Sequence, residues 1–249
     1  MIKDKPHFYD GKIYDILFDS ALKEIRQLIL SNIKKNSKVL DIASGTGSLV
    51  FDLSKICSQV IGVELSSKMV KFASSKNKMN NVSFIHADAS SLKQFKDDEF
   101  DYATVSMAIH EMPPVIRIKV LQEMKRVAKI IIIADYTTPL PHSFAGLRVT
   151  VVEFLADHFK YFQHYQKSGG IKGILKNLQL DIIDKAIEKN PACAGIEREK
   201  INEIAKQAIN FETNKVSAIS FAAGMPGGFA MAATIPADIT QYFVFILRI

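Results

Sequence analysis

Between Tyr14 and Ile33 the apolar residues Phe18, Leu22, Ile25, Ile29 and Ile33 recur at helical spacing, which predicts an amphipathic helix leading into a first strand. From Lys38 the period changes. Short apolar runs, Val39 to Ala43, Val60 to Val63, Val82 to Ile85, Phe100 to Val105 and Ile130 to Ala134, alternate with helix-like stretches at Leu49 to Ile56, Met69 to Ala73 and Val115 to Val127. Pro113 and Pro114 open the last of these, where proline's missing N–H costs nothing. Strand and helix alternating at this pitch predict right-handed crossovers and a parallel sheet covered on both faces. Leu180 to Ile187 and Ala192 to Ile196, divided by Lys189-Asn190-Pro191, add an antiparallel hairpin at the edge. The expected fold is therefore α/β, a doubly wound, mainly parallel, seven-stranded sheet.

After Asp135 come a Pro-rich connection, a helix from about Gly146 to Phe162 and another from Gly170 to Leu178. Beyond Glu199 the composition shifts: Ile201 to Phe211 reads as helix, Val216 to Ala237 carries no charged residue, and an apolar run ends at Ile249. Gly224, Pro226, Gly227, Gly228 and Pro236 break this segment, which argues against a single membrane-spanning helix. The expected organisation is a catalytic domain over residues 1–199 and an apolar helical appendage over 200–249. The run Tyr242 to Ile249 would expose apolar surface, to be covered by a protein partner, a membrane face or the domain itself, or to be explained by a truncated reading frame.

The formal charge of +6 is spread through the chain without a basic block, so no nucleic-acid partner is expected. Cys57 and Cys193 have neither metal spacing nor a disulfide pattern, and the charged start does not resemble a secretion signal. A cytoplasmic protein follows, with membrane association through residues 200–249 left open. His158 and His164, near Phe159, Tyr161, Phe162 and Tyr165, lack convincing metal spacing, and no metal site is expected.

The chemistry sits in Val39-Leu40-Asp41-Ile42-Ala43-Ser44-Gly45-Thr46-Gly47-Ser48-Leu49, where the first strand turns into a helix and small residues let backbone approach a ligand. A dinucleotide fingerprint would have a third glycine and a helix N-terminus facing pyrophosphate. Here an acid, Asp41, precedes the turn, which suits a cationic ligand such as S-adenosylmethionine, with its ammonium and sulfonium. Glu64, ending the second strand, is placed to accept two ribose hydroxyls, and Asp88-Ala89 after the third to meet the adenine amine.

These stretches, with Gly62-Val63-Glu64-Leu65-Ser66, His86-Ala87-Asp88-Ala89 and Phe100-Asp101-Tyr102, resemble the class I methyltransferases, in the small-molecule branch near the ubiquinone/menaquinone and phospholipid enzymes. The resemblance covers about residues 8 to 199. It implies a Rossmann-like methyltransferase fold and cofactor contacts at Asp41, Ala43, Ser44, Gly45, Gly47, Glu64, Leu65, Met69, Asp88, Ala89 and Ser106. Ala43 departs from it, standing where many members have glycine. Phe8, Tyr9 and Tyr14 resemble the family's aromatic N-terminal lid. Ser217 to Ile249 resembles the start of the EcsC-type family, without a catalytic role.

Val105, Ser106 and Met107 would face the transferable methyl, beside a small-molecule or lipid-like acceptor. His110 reads either as a general base or as a structural hydrogen-bonding histidine, and Asp135-Tyr136 either as site residues or as a loop cap and a packed ring. Two rivals stand beside the methyltransferase: a nicotinamide-dependent oxidoreductase on a similar fold, and a non-catalytic interaction protein recruited through residues 200–249.

Overall fold

The computed structural model describes residues 22–140, 144–154, 158–177 and 242–248, all within one compact unit. The expected aromatic lid, the hairpin at 180–196 and the segment 200–241 lie outside the described residues, as does the boundary expected at residue 199.

In chain order the elements are α1 (Lys23–Ser31), β1 (Lys38–Ile42), α2 (Ser48–Ser54), β2 (Gln59–Glu64), α3 (Ser67–Lys76), β3 (Val82–His86), β4 (Phe100–Ser106), a 3-10 turn (Ile109–Glu111), α4 (Pro114–Val127), β5 (Ala128–Tyr136), α5 (Phe144–Phe154), α6 (Phe159–Lys167), α7 (Gly170–Asn177) and β6 (Tyr242–Arg248). The five apolar runs become β1 to β5, each extended by a residue or two where backbone pairing continues past the apolar side chains, except that β1 ends at Ile42 and leaves Ala43 in the turn. The single helix expected over Gly146 to Phe162 is instead two, α5 and α6, with residues 155–157 outside the described set.

The sheet order is β3-β2-β1-β4-β5-β6. β1 to β5 are parallel, and β6 runs antiparallel to β5 from Ile130 opposite Arg248 to Tyr136 opposite Tyr242. Two expectations are corrected. The described sheet has six strands rather than seven, five of them parallel. Its antiparallel edge is built from residues 242–248, read from sequence as part of a helical appendage outside the fold. The physical reason is that the far edge of β5 offers a row of unpaired N–H and C=O groups, and an apolar, β-branched and aromatic run satisfies them. Residues 242–248 are thus paired along their backbone with β5.

Because successive strand residues point to opposite faces, the sheet has two cores. Leu40, Ile42, Val63, Val105, Ile131 and Ile133 face one, closed by Leu121, Met124 and Val127 of α4. Val39, Val60, Tyr102 and Ile132 face the other, closed by Ile25 and Ile29 of α1 and Leu49, Val50 and Leu53 of α2. Pro114 sits at the first turn of α4, as the sequence predicts. Phe100 is fully buried at the start of β4, its ring edge-on to Phe95 at 5.1 Å between centroids. Phe100→Ala is expected to destabilise the protein by about 3–5 kcal/mol in urea unfolding, the cost of a large cavity in a close-packed core.

Candidate active site

Reversal of strand order between β1 and β4 opens a crevice at the carboxyl ends of those strands, because the crossovers leave it in opposite directions. Asp41 lies opposite Thr104 across this seam, and Thr104 Oγ1 donates to Asp41 Oδ1 at 2.6 Å. Asp41 is 2% exposed. Burial pushes its carboxyl up to about 7, with nearby Glu64 raising it further and the Thr104 bond opposing.

From Asp41 the chain enters the turn through Ala43, whose φ of 54° is in the left-handed region that favours glycine. The departure from the family's glycine therefore keeps the glycine conformation. Ser44 N–H donates to the Val63 carbonyl and Gly47 N–H to the Ser44 carbonyl, closing the turn, and Gly47, at φ 86°, caps α2. A Cβ on Gly47 would lie 2.6 Å from the Phe84 ring, so only glycine fits.

Glu64 joins the two loops: its Oε2 accepts from Gly45 N–H at 3.0 Å and its Oε1 from Ser66 N–H at 2.8 Å. Burial raises its carboxyl, with these backbone donors opposing. A pocket is lined by Asp41, Ala43, Ser44, Gly45, Thr46, Ser48, Leu49 and Ser106, with Leu22 and Arg26 from the α1 side.

The pocket unites Asp41, Ala43, Ser44, Gly45 and Ser106, and Glu64 adjoins it through Gly45. Gly47 shapes the helix start. Met69 is buried, its N–H donating to the Ser66 Oγ that caps α3, and the Leu65 carbonyl contacts His86 Nε2. Asp88 is half-buried and caps its own turn, accepting from Ser90 N–H at 2.8 Å, with Ala89 beside it. Leu65, Met69, Asp88 and Ala89 do not line this pocket.

Past Ser106 the chain kinks through Met107, at φ 54°, into the 3-10 turn carrying His110. His110 is 2% exposed. Its Nδ1 lies 2.6 Å from Asp135 Oδ1, its own N–H donates to Asp135 Oδ2 at 3.1 Å, and its Nε2 is 3.6 Å from Glu153 Oε1. Burial alone would lower its pKa, but Asp135 and Glu153 outweigh burial and raise it well above the ordinary range. This geometry makes Asp135 a buried partner of His110 rather than a loop cap.

Sequence reasoning missed Thr104, Arg117 and Glu153. Thr104 and Glu153 each carried a signal, as polar residues inside apolar runs. Arg117, 1% exposed, donates from Nε to the Ile109 carbonyl at 2.8 Å and from Nη2 to the carbonyls of His110, at 3.0 Å, and Tyr161. It ties the 3-10 turn to α6.

Residues 39–130, which contain the β1 turn, Glu64, Asp88 and the β4 end, match the family model for a methyltransferase domain. That stretch is thus similar to a methyltransferase domain. Over 102 residues the chain is 37% identical to a demethylmenaquinone methyltransferase of Staphylococcus saprophyticus, covering 39% of this chain and 42% of that protein. A Staphylococcus carnosus protein of the same name is 35% identical over 127 residues, 49% of this chain and 51% of its own. The chain thus spans about half, or less, of the length of the curated relatives it matches. A solved S-adenosylmethionine-dependent methyltransferase of Aquifex aeolicus is 20% identical, with 70% of this chain and 85% of that one covered and a TM-score of 0.48.

In the methyltransferase domain, Arg117→Met is expected to cost at least about 2 kcal/mol in denaturant unfolding, because it removes the donor from three backbone carbonyls. Arg117→Lys, which keeps the charge and loses the planar fork, should recover only part of that.

Proposed function

We propose that this chain transfers a methyl group from S-adenosylmethionine to a small or lipid-like acceptor. The observation that carries the reading is the buried Asp41 carboxyl at the switch point, beside a loop built to be approached. The residues present fit the cofactor: Ser44 Oγ is buried without a partner, and a Cβ added to Gly45 would meet no atom within 4 Å. An orphaned hydroxyl and open space over the backbone are what a polar ligand lying on the turn would use.

Asp41, Ser44 and Gly45 would hold the amino-acid end, and Glu64 the ribose, through the lone pairs its backbone donors leave free. Asp88, Ala89, Leu65 and Met69 are assigned to the adenine from the family resemblance. S-Adenosylmethionine supplies a methyl group on a sulfonium that leaves as a neutral thioether. The chain's task is then alignment and exclusion of water. Ser106 and the left-handed Met107 set the backbone beside the methyl. His110, fixed by Asp135, holds that backbone in place and is a positioning residue.

A nicotinamide cofactor is disfavoured because a pyrophosphate would meet Asp41. Among the described residues no helix is long and apolar enough to cross a membrane. The acceptor to try first is a demethylated menaquinone, the substrate that the staphylococcal relatives' name implies. Incubation with methyl-labelled cofactor should move label into it or into another small or lipid component of an extract. Tight nicotinamide cofactor binding, with no S-adenosylhomocysteine binding, would overturn the assignment.

S-Adenosylhomocysteine shares the cofactor's ammonium, so its affinity should follow Asp41. The carboxyl must be ionised to pair with that cation and takes up a proton below about 7. Affinity should be full above that value and fall as pH drops through it, by about tenfold between pH 8 and pH 6. Glu64 and Arg26 are the charged groups sharing its surroundings. Calorimetric titration across pH checks this, and Asp41→Asn should bind weakly with a flat profile.

A further inference from the structure

Four side chains from three places in the chain converge beneath the β4 and β5 ends: His110 and Glu111 of the 3-10 turn, Glu153 of α5, and His158 just before α6. His110, Glu153 and His158 are 2%, 4% and 4% exposed, and the Glu111 side chain is 30% exposed. One donor atom each of His110, Glu111 and His158 lies within 4.8 Å of the other two. His110 Nε2 lies 3.9 Å from Glu111 Oε1 and 3.6 Å from Glu153 Oε1, while His158 Nε2 lies 3.8 Å from Glu111 Oε1 and 2.9 Å from Glu153 Oε2.

Four ligand atoms around a tetrahedral zinc ion, each about 2.0–2.2 Å from the metal, stand about 3.4 Å from one another. The His110–Glu111 and His158–Glu111 spacings, 3.9 and 3.8 Å, lie a few tenths of an ångström above that value. We propose that His110, Glu111 and His158, with the Glu153 carboxylate beside them, form a binding site for one divalent first-row transition metal ion, with zinc the best-fitting occupant. The sequence expectation of no metal site rested on His158 and His164. The pairing that matters is His158 with His110, which no local spacing reveals.

Three further observations support a metal site. His110 presents Nε2 because its Nδ1 is held by Asp135 at 2.6 Å, the carboxylate–imidazole arrangement that orients a metal-bound histidine. Glu153 Oε1 in turn accepts from Tyr136 Oη at 3.1 Å. His158 Nδ1 is buried with no partner, so the described polar contacts of that ring are the carboxylates at Nε2.

The rings of Tyr136, Phe162 and Tyr165, with centroids 4.7, 6.0 and 6.3 Å from that of His110, wall the cluster against water. The carboxylates of Glu111 and Glu153 beside two neutral imidazoles would balance a dication. Mixed imidazole and carboxylate donors favour zinc or a neighbouring transition ion over magnesium or calcium, which take oxygen alone. Glu111, the exposed member, gives the ion its way in.

The inference goes beyond methyl transfer and is tested without it. Full-length protein is stripped with chelator and titrated with zinc by calorimetry, without cofactor. One equivalent should bind at micromolar or tighter affinity, and cobalt should give the intense visible bands of a tetrahedral ion. Glu111→Gln, a change at the exposed ligand, should weaken zinc at least tenfold while S-adenosylhomocysteine affinity and thermal unfolding of the metal-free protein stay unchanged. His158→Gln should abolish the cobalt bands. Absence of stoichiometric uptake by the wild-type chain, or uptake unaltered in both variants, would overturn the proposal. Because zinc binding is read directly, it can fail while methyl transfer holds, and the reverse.

Discussion

One buried hydrogen bond, from Thr104 to Asp41, lies where the two halves of the sheet meet. A carboxyl in that position is costly, since burial favours its neutral form and the interior offers little to offset an ionised one. The cost is tolerated because register brings a hydroxyl opposite it and because the crevice beyond opens onto the β1 turn. The rest of the site is arranged around this group. Ala43 and Gly47 bend backbone away from it at positive φ, and Glu64 links the turn to the end of the second strand. The same two strands thus form the centre of the apolar core and the floor of the pocket.

Much of this frame can be read from residue order. Runs such as Val60 to Val63 announce strands buried on both faces, and Pro114 announces the start of its helix, because these are local preferences. The Asp41 turn and Glu64 are legible for a related reason: strand ends in this topology fall on one side of the sheet, so motifs at successive ends converge. What escapes is what depends on long-range pairing. Nothing near residue 242 says that its neighbours will lie against β5, since an apolar run beside prolines and glycines reads equally as a detached segment. Glu153 and Arg117 gain their meaning from groups far away in sequence, His110 for the first and Tyr161 for the second.

His110 shows how burial changes the meaning of a residue type. On sequence alone a histidine just past the fourth strand invites proton transfer. Enclosed by Asp135, Glu153 and three aromatic rings, it becomes part of a rigid polar cluster that fixes the backbone next to the pocket. Arg117 reinforces this from beneath, by donating to the carbonyls of Ile109 and His110 in the 3-10 turn. The cofactor side of the domain is built from glycine turns and backbone donors. The side beyond β4 is built from charged side chains in an apolar box.

The sixth strand carries a consequence for biosynthesis. Strands β1 to β5 are complete once residue 136 has been made, whereas their antiparallel partner begins at residue 242. On the ribosome the parallel sheet can assemble with one margin bare while the following hundred or so residues are still being translated. Closing that margin demands a contact between segments far apart in sequence, the kind of event that is entropically slow. A nascent chain of this protein therefore passes through an interval in which β5 is open to any extended peptide nearby, and holding that margin covered is a natural task for a chaperone.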